Sequence, residues 1–479
     1  MVCENFKYTK VMEFFERVAS IPRMSGHEEK IADYLVSFAS ERGLEYYRDS
    51  VNNVLINMPA TKGYEGKEPI LLQGHTDMVC ESEQGVEHDF QNDGLELYVD
   101  GEFLRAKGTT LGADNGTAVS MMLALLDGAA DAHPALQCLF TTCEEIGLEG
   151  AYAFDYSRIF ARKMINMDSD EEDTVVVGCA GGVRSDITFD IESASPRYKN
   201  ALKVTVGGLM GGHSGVDIHR GRANANKLMG KLLAILYNSV DFELVSINGG
   251  TKDNAITREC EMVVLTNSAH QFKRTVNEFA MELKMVLSPE DMGLFVNCEE
   301  IDAGCIDKVF TEEFTQKMTT FLNGVKCGVI EMSQNIDGLV EYSRNLGILK
   351  TEETRMLFGF SSRSAISEQI EGSKEFLERA SALYGGSARH YGEYPGWHYT
   401  GESALSDLYA ETADRLFGTK VQKTVIHAGL ECGIIKNAIP DMDIISCGPN
   451  VKDLHSPDER MEIASFERFF AILKDMIEA

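Results

Sequence analysis

The run PILLQGHTDMV, residues 69–79, ends its apolar core at Gln73 and then delivers His75 and Asp77. A short apolar run bounded by turn residues reads as a buried strand. Residues two apart in extended backbone face the same side, so the His75 imidazole and the Asp77 carboxylate can serve one site. Taken alone, a His-x-Asp pair is equally a capped turn with a hydrogen-bonded histidine.

Working outward, similar apolar runs lie at 53–58, 137–142 and 163–167, with a helical stretch at 114–130. Ser25-Gly-His-Glu28 has the form of a capping box opening a helix over 28–39, with Ile31, Tyr34, Leu35 and Phe38 on its apolar stripe. Residues 1–20 read as an amphipathic helix with Val11, Phe14, Phe15 and Val18 on one face. Strands alternating with helices predict an α/β domain on a mixed, mostly parallel sheet.

The middle follows another grammar: strand 201–206, helix 222–238, strands 241–248 and 260–266, helix 270–287, strand 293–301, helix 307–322, two strands, and helix 366–383. From residue 190 to 385 there are 27 acidic and 21 basic residues, whereas the flanks hold 48 and 24. After Gly385 the α/β style resumes, with helices near 401–417 and 461–478 around strands at 420–427 and 442–447. The expected organisation is one domain (1–189 and 386–479) interrupted by an α+β domain (190–385).

Other strand ends carry chemistry too. QCLFTTC runs into Glu144 and Glu145, and KMINM ends at Asp168. LGADNG places Asp114 at a helix mouth, where it also fits an N-cap. His455 follows a C-terminal strand, in a loop containing Pro457. In open α/β sheets ligands bind beyond the carboxyl ends of the strands, so these residues converge on one region. Imidazoles and carboxylates without thiolates suit two divalent metals of the zinc, manganese or cobalt type. HExxH, GxSxG, Walker A and GxGxxG patterns are absent from the sequence.

The chain has 479 residues, with 75 acidic against 45 basic, a formal charge of −30. That field repels nucleic acid and anionic membranes and favours cationic or zwitterionic ligands and metal ions. No apolar run is long enough for a membrane helix. Eleven cysteines without a CxxC pair, and no apolar leader at the start, point to reduced thiols and the cytoplasm.

GHTDMV, LGADNG, TCEEIGLEGA, NMDSDE, GGHSG and DLHSPDE, in this order along essentially the whole chain, resemble the di-zinc exopeptidase family of carnosinases, peptidase T, aminoacylase and acetylornithine deacetylase. CEEIGLEGA with GGLMGGHSGVDIHRGRANANKL resembles its branch acting on aminoacyl-histidine dipeptides. The resemblance implies that His75, Asp114 and Asp168 hold one metal. It implies that Asp114, Glu145 and His455 hold the other, with Asp114 bridging. Zinc is the default, and manganese or cobalt the alternatives. It makes Glu144 the general base and Asp77 the acid behind the histidine ligand. The middle domain becomes a lid, whose His213 reaches the scissile carbonyl while Asn254 and Arg363 meet the substrate carboxylate. Glu431 is assigned to the substrate amine. The implied activity is hydrolysis of dipeptides, notably those ending in histidine. An N-acyl amino acid deacylase or tripeptidase on the same core is the alternative within hydrolases. A noncatalytic peptide- or metal-binding module is the alternative of another class. A lid of nearly 200 residues is compatible with a homodimer or a monomer.

Overall fold

The computed structural model describes residues 6–334, 336 and 338–479; residues 1–5 of the expected first helix lie outside this range. The chain divides into two compact units, one of residues 1–179, 399–425 and 430–479, the other of residues 180–398 and 426–429. These divisions differ from 189/190 and 385/386 because strands Gly181–Asp190 and Ser387–Tyr394 pair with each other in the inserted unit's sheet.

The first unit is built on an eight-stranded sheet. Its order is Glu45–Arg48, Val54–Met58, Leu136–Thr141, Ile70–His75, Lys163–Asn166, Asp443–Ser446, Thr174–Cys179 and Gln422–Ile426. The centre is parallel, with Ile70–His75 between Leu136–Thr141 and Lys163–Asn166, and Asp443–Ser446 beside the latter. Antiparallel strands flank this centre, so the sheet is mixed. Ile70–His75 and Leu136–Thr141 are buried at every residue, which explains runs that do not alternate.

Helix Ala113–Leu126 is buried on all sides except at Asp114, as the apolar run from Met121 to Leu126 requires, with Asn115, Thr117 and Ser120 hydrogen-bonded in the interior. Helices Thr9–Ala19, Glu29–Glu41 and Ile463–Glu478 contribute one buried stripe each. Phe15 and Phe466 meet edge-on in the core, with ring centres 6.2 Å apart. Burying such a ring contributes roughly 1.5–3 kcal/mol.

The inserted unit has a nine-stranded sheet in which every pairing is antiparallel. Helices Ala225–Tyr237, Ala269–Lys284, Glu312–Gly324 and Ser367–Leu383 belong to the same unit. Phe321 and Phe358 pack edge-on in its core at 5.0 Å. The third helix starts later than the sequence pattern predicts. Val309–Phe310 instead pairs with Ser193–Ala194, and the Thr311 side chain caps the helix by accepting from Phe314 N (3.1 Å).

Candidate active site

All five residues expected to bind metal lie in the first unit. In the parallel register His75 pairs with Thr141, and Gln73 pairs with Asn166. His75, the Glu144–Glu145 turn and Asp168 therefore leave adjacent strands at one sheet edge. Asp114 does not stand at the N-cap of this helix: Gly112 precedes it, and Asp114 lies at a kink in its first turn, with φ −83° and ψ 104°. Its carboxylate instead reaches two histidines. Oδ1 lies 2.9 Å from His75 Nε2, and Oδ2 lies 3.2 Å from His455 Nε2. Asp168 Oδ1 is 3.2 Å from His75 Nε2, and Glu145 Oε1 is 3.3 Å from His455 Nε2. His455 is placed by a left-handed loop conformation, with φ 60° at His455 and 54° at Asp453, an uncommon backbone for non-glycine residues.

Potential ligand atoms fall into three groups, each within 4.8 Å: His75 with Asp114 and Asp168; His75 with Glu144 and Glu145; and Asp114 with Glu145 and His455. The field is negative throughout. Burial opposes a charged His75, yet Asp168, Asp114 and Asp77 hold its imidazole well above the usual range. Hydrogen bonds to Asp114 and Glu145 push His455 up to about 10. Burial pushes Asp168 up to about 6, against the pull of His75. Burial also raises Glu144 well above an ordinary carboxyl, opposed by His75 and reinforced by Asp168, Glu431 and Glu145. A cluster that concentrates carboxylates and raises histidine pKa values attracts a metal cation for the same electrostatic reason.

Asp77 is fully buried and holds two segments together. Its Oδ1 lies 3.3 Å from His75 Nδ1 and accepts from Glu144 N at 3.1 Å, while Oδ2 accepts from Glu145 N at 3.2 Å. His75 Nδ1 is also 3.2 Å from the Asp77 carbonyl. Oxygen on this side assigns the ring proton to Nδ1 and turns Nε2 toward Asp114 and Asp168. Burial disfavours ionised Asp77, but hydrogen bonds from His75, Ser25 and Glu144 N hold its carboxyl below the usual range.

Ser25 and Glu28 do not form the predicted capping box. Ser25 Oγ donates to Asp77 Oδ2 at 2.7 Å, and Glu28 Oε1 accepts from Gly26 N at 3.0 Å and Cys143 N at 2.9 Å. Both side chains are drawn away from the helix by buried polar groups that need partners. The turn they support is tight: Cys143 is left-handed at φ 52°, and a Cβ at Gly150 would lie 2.2 Å from the Thr142 carbonyl oxygen. In local sequence Ser25 and Glu28 read as helix signals, which conceals their part in this site.

Glu431, expected at the substrate amine, has no exposed surface. Gln73 Nε2 and Thr141 Oγ1 donate to its Oε2, and burial pushes its carboxyl up to about 7 against the pull of His75. The first turn of helix Glu431–Ala438 carries it into the protein interior, close enough to His75, Asp168 and Glu144 to act on them electrostatically, and its Oε1 has no hydrogen-bond partner.

The inserted unit assembles a second polar group. His213 and Ala255 pair in a short antiparallel ladder, and Ser214 N donates to the Asn254 carbonyl at 2.8 Å. Arg363 Nη1 donates to Tyr394 Oη at 2.6 Å, while Nη2 lies 3.4 Å from His213 Nε2. No carboxylate pairs with Arg363 among the described residues, and its buried Nε has no hydrogen-bond partner. His427 Nε2 lies 2.7 Å from Ser343 Oγ; burial and Arg363 lower its imidazole to about 3.

The first unit's cluster fits two divalent ions. It offers two imidazoles and carboxylates with no paired lysine or arginine among the described residues, and buried Glu145 Oε1 has no properly aligned donor. Comparison with known proteins agrees with the fold. Residues 71–479 match the family described as Peptidase family M20/M25/M40. The chain is 36% identical over 472 residues to the cytosol non-specific dipeptidase of Escherichia coli (strain K12), covering 97% of this chain and 96% of that protein. It superposes on the crystal structure of aminoacylhistidine dipeptidase from Vibrio alginolyticus with a TM-score of 0.92 and 36% identity, covering 99% of this chain and 97% of the other. Aminopeptidase PepT from Bacillus cereus shares the fold, with a TM-score of 0.57, 16% identity, and coverage of 98% and 97%. The chain belongs to peptidase family M20/M25/M40.

Proposed function

We propose that this chain hydrolyses dipeptides, notably those ending in histidine, at a centre of two divalent ions. The observation that carries the reading is the Asp114 carboxylate, whose two oxygens face His75 and His455 from opposite sides. His75, Asp114 and Asp168 would hold one ion, and Asp114, Glu145 and His455 the other. Zinc is the default for this donor set, and manganese or cobalt also suits it. When bound, such ions polarise a carbonyl and lower the pKa of a water.

The chain's own groups complete the chemistry. Glu144, a carboxylate of raised proton affinity, takes the proton of the attacking water and passes it to the departing amine. Asp77 fixes the His75 ring and the backbone that presents Glu144 and Glu145. His213 Nδ1 accepts from Gly215 N (3.3 Å) and Val216 N (3.2 Å), which favours the Nε2–H tautomer once Arg363, whose Nη2 can only donate toward Nε2, turns to the substrate carboxylate. Burial and Arg363 lower its pKa, keeping the ring neutral at pH 7. His213 Nε2–H is then a donor for the developing oxyanion. Arg363 and Asn254 bind the substrate carboxylate; the planar guanidinium fork suits that geometry. His213→Ala is expected to lower kcat by about 10²–10³-fold, the cost of losing one oxyanion donor, without changing metal content. Unchanged turnover would remove His213 from the reaction.

The two relatives named as dipeptidases support this substrate class, and the acidic charge favours a zwitterionic peptide. A cytoplasmic setting is supported by ten described cysteines, all free thiols. No helix among the described residues is long and apolar enough to cross a membrane.

The test compares metal-depleted and metal-restored protein on glycyl-histidine or β-alanyl-histidine, a tripeptide and an N-acetyl amino acid. Dipeptide cleavage is expected to vanish with a chelator and return with zinc or manganese. An enzyme indifferent to chelation sinks the metal reading, and a faster rate on the tripeptide or the N-acetyl amino acid replaces the substrate assignment.

A further inference from the structure

Two buried charges have no part in the mechanism above. Arg23 and Glu459 are each only 2% exposed. Glu459 Oε2 accepts from Leu111 N at 2.8 Å and Gly112 N at 2.9 Å; Oε1 accepts from Ala113 N at 2.8 Å and Asp114 N at 3.4 Å. Arg23 Nη1 donates to the carbonyls of Thr76 and Asp77, at 3.1 Å each, and Nη2 donates to the carbonyl of Gly112. Gly112 is itself fitted to this contact: it has φ +65°, and a Cβ there would lie 2.4 Å from Arg23 Nη2. No side-chain carboxylate pairs directly with Arg23 among the described residues. Desolvating either charge is expensive unless hydrogen bonds replace the lost water, and here every replacement is a main-chain group of a ligand-bearing loop.

The connectivity gives this arrangement a purpose. Glu459 follows His455 by four residues, so it ties the His455 loop to the segment carrying Asp114. Arg23 grips the two residues after His75, so it ties the same segment to the opposite side. We propose that Arg23 and Glu459 are positioning residues that clamp segment 111–114 from both sides and so set the spacing between the two metal positions. This rests on the two-ion reading above.

The clamp acts unequally on the two positions. His75 and Asp168 are held by neighbouring parallel strands whatever Glu459 does. Asp114 and His455 both lie on the segments that Glu459 joins, so the ion held by Asp114, Glu145 and His455 depends on it most. Glu459→Gln is the sharpest probe. An amide keeps one oxygen but turns its NH₂ against two main-chain N–H donors that have lost their acceptor.

The test is calorimetric titration of zinc into metal-depleted parent, Glu459→Gln, Glu459→Asp and Arg23→Lys proteins, with thermal melts in parallel. The parent is expected to bind two ions. Glu459→Gln should bind the ion of Asp114, Glu145 and His455 about 10–100-fold more weakly, the range for losing a group that orients metal ligands, and the other ion, which shares only Asp114 with the clamped segments, with a smaller loss. Glu459→Asp, which keeps the charge, should recover part of the loss. Arg23→Lys keeps a cation without the fork; it should also weaken binding and serves as the probe if Glu459→Gln does not fold. A purely structural role would lower the melting temperature while leaving both affinities parental, and that result overturns the clamp. Equal weakening at both positions in Glu459→Gln overturns it as well. A parent that binds no ion overturns the two-ion reading itself, a separate outcome.

Discussion

Glu144→Gln is expected to bind two metal ions as the parent does and to turn over about 10²–10⁴-fold more slowly, the range for losing a general acid–base. The change keeps shape and volume and removes only the capacity to accept a proton. It also spares the scaffold, because the contact holding this turn to Asp77 is made by the main-chain N–H of Glu144. Burial is the chief reason its carboxyl has high proton affinity, and Asp168, Glu431 and Glu145 add to it. Metal analysis beside steady-state kinetics checks the result. Near-parental turnover with full metal content would assign the proton transfers elsewhere.

Asp114→Asn is expected to cost the most. A carboxylate can offer an oxygen to each histidine-bearing side, whereas an amide offers one oxygen and one NH₂. The NH₂ cannot ligate a cation, so at least one ion should be lost. Several kcal/mol of transition-state stabilisation go with it, which corresponds to at least about 10³-fold in rate. The main-chain bond from Asp114 N to Glu459 survives the substitution, so folding should persist. Elemental analysis should find at most one ion per chain. Two ions retained at parental affinity would refute the bridging role of Asp114.

Much of this site was legible because its residues sit where strand geometry leaves little freedom. His75 and Asp77 share a face by the two-residue period of extended chain. Glu145 and Asp168 follow strands whose continuous apolar runs identify them as buried. What escaped was long-range. Ser25 and Glu28 match a helix start so well that local pattern alone cannot reveal their bonds to Asp77 and Cys143. Arg23 and Glu459 act on main-chain groups at residues 76–77 and 111–114, and main-chain partners leave no imprint on side-chain pattern. The burial of Glu431 follows from helix Glu431–Ala438, whose first turn faces inward, and no local pattern marks that. At residue 307 a helical pattern overran a two-residue strand, since pairing with Ser193–Ala194 is a tertiary fact.

The placement of Asp443–Ser446 inside the sheet, beside both Lys163–Asn166 and Thr174–Cys179, has a consequence for biosynthesis. As the chain leaves the ribosome, the strands up to Thr174–Cys179 emerge with a vacancy in mid-sheet, and residues 180–442 must follow before the filling strand appears. His455 arrives later still. The proposed two-ion centre therefore cannot be completed before residue 455 has been made. A chain made only as far as residue 179 would carry Glu144, the proposed base, without His455, and would stay silent until that loop is made.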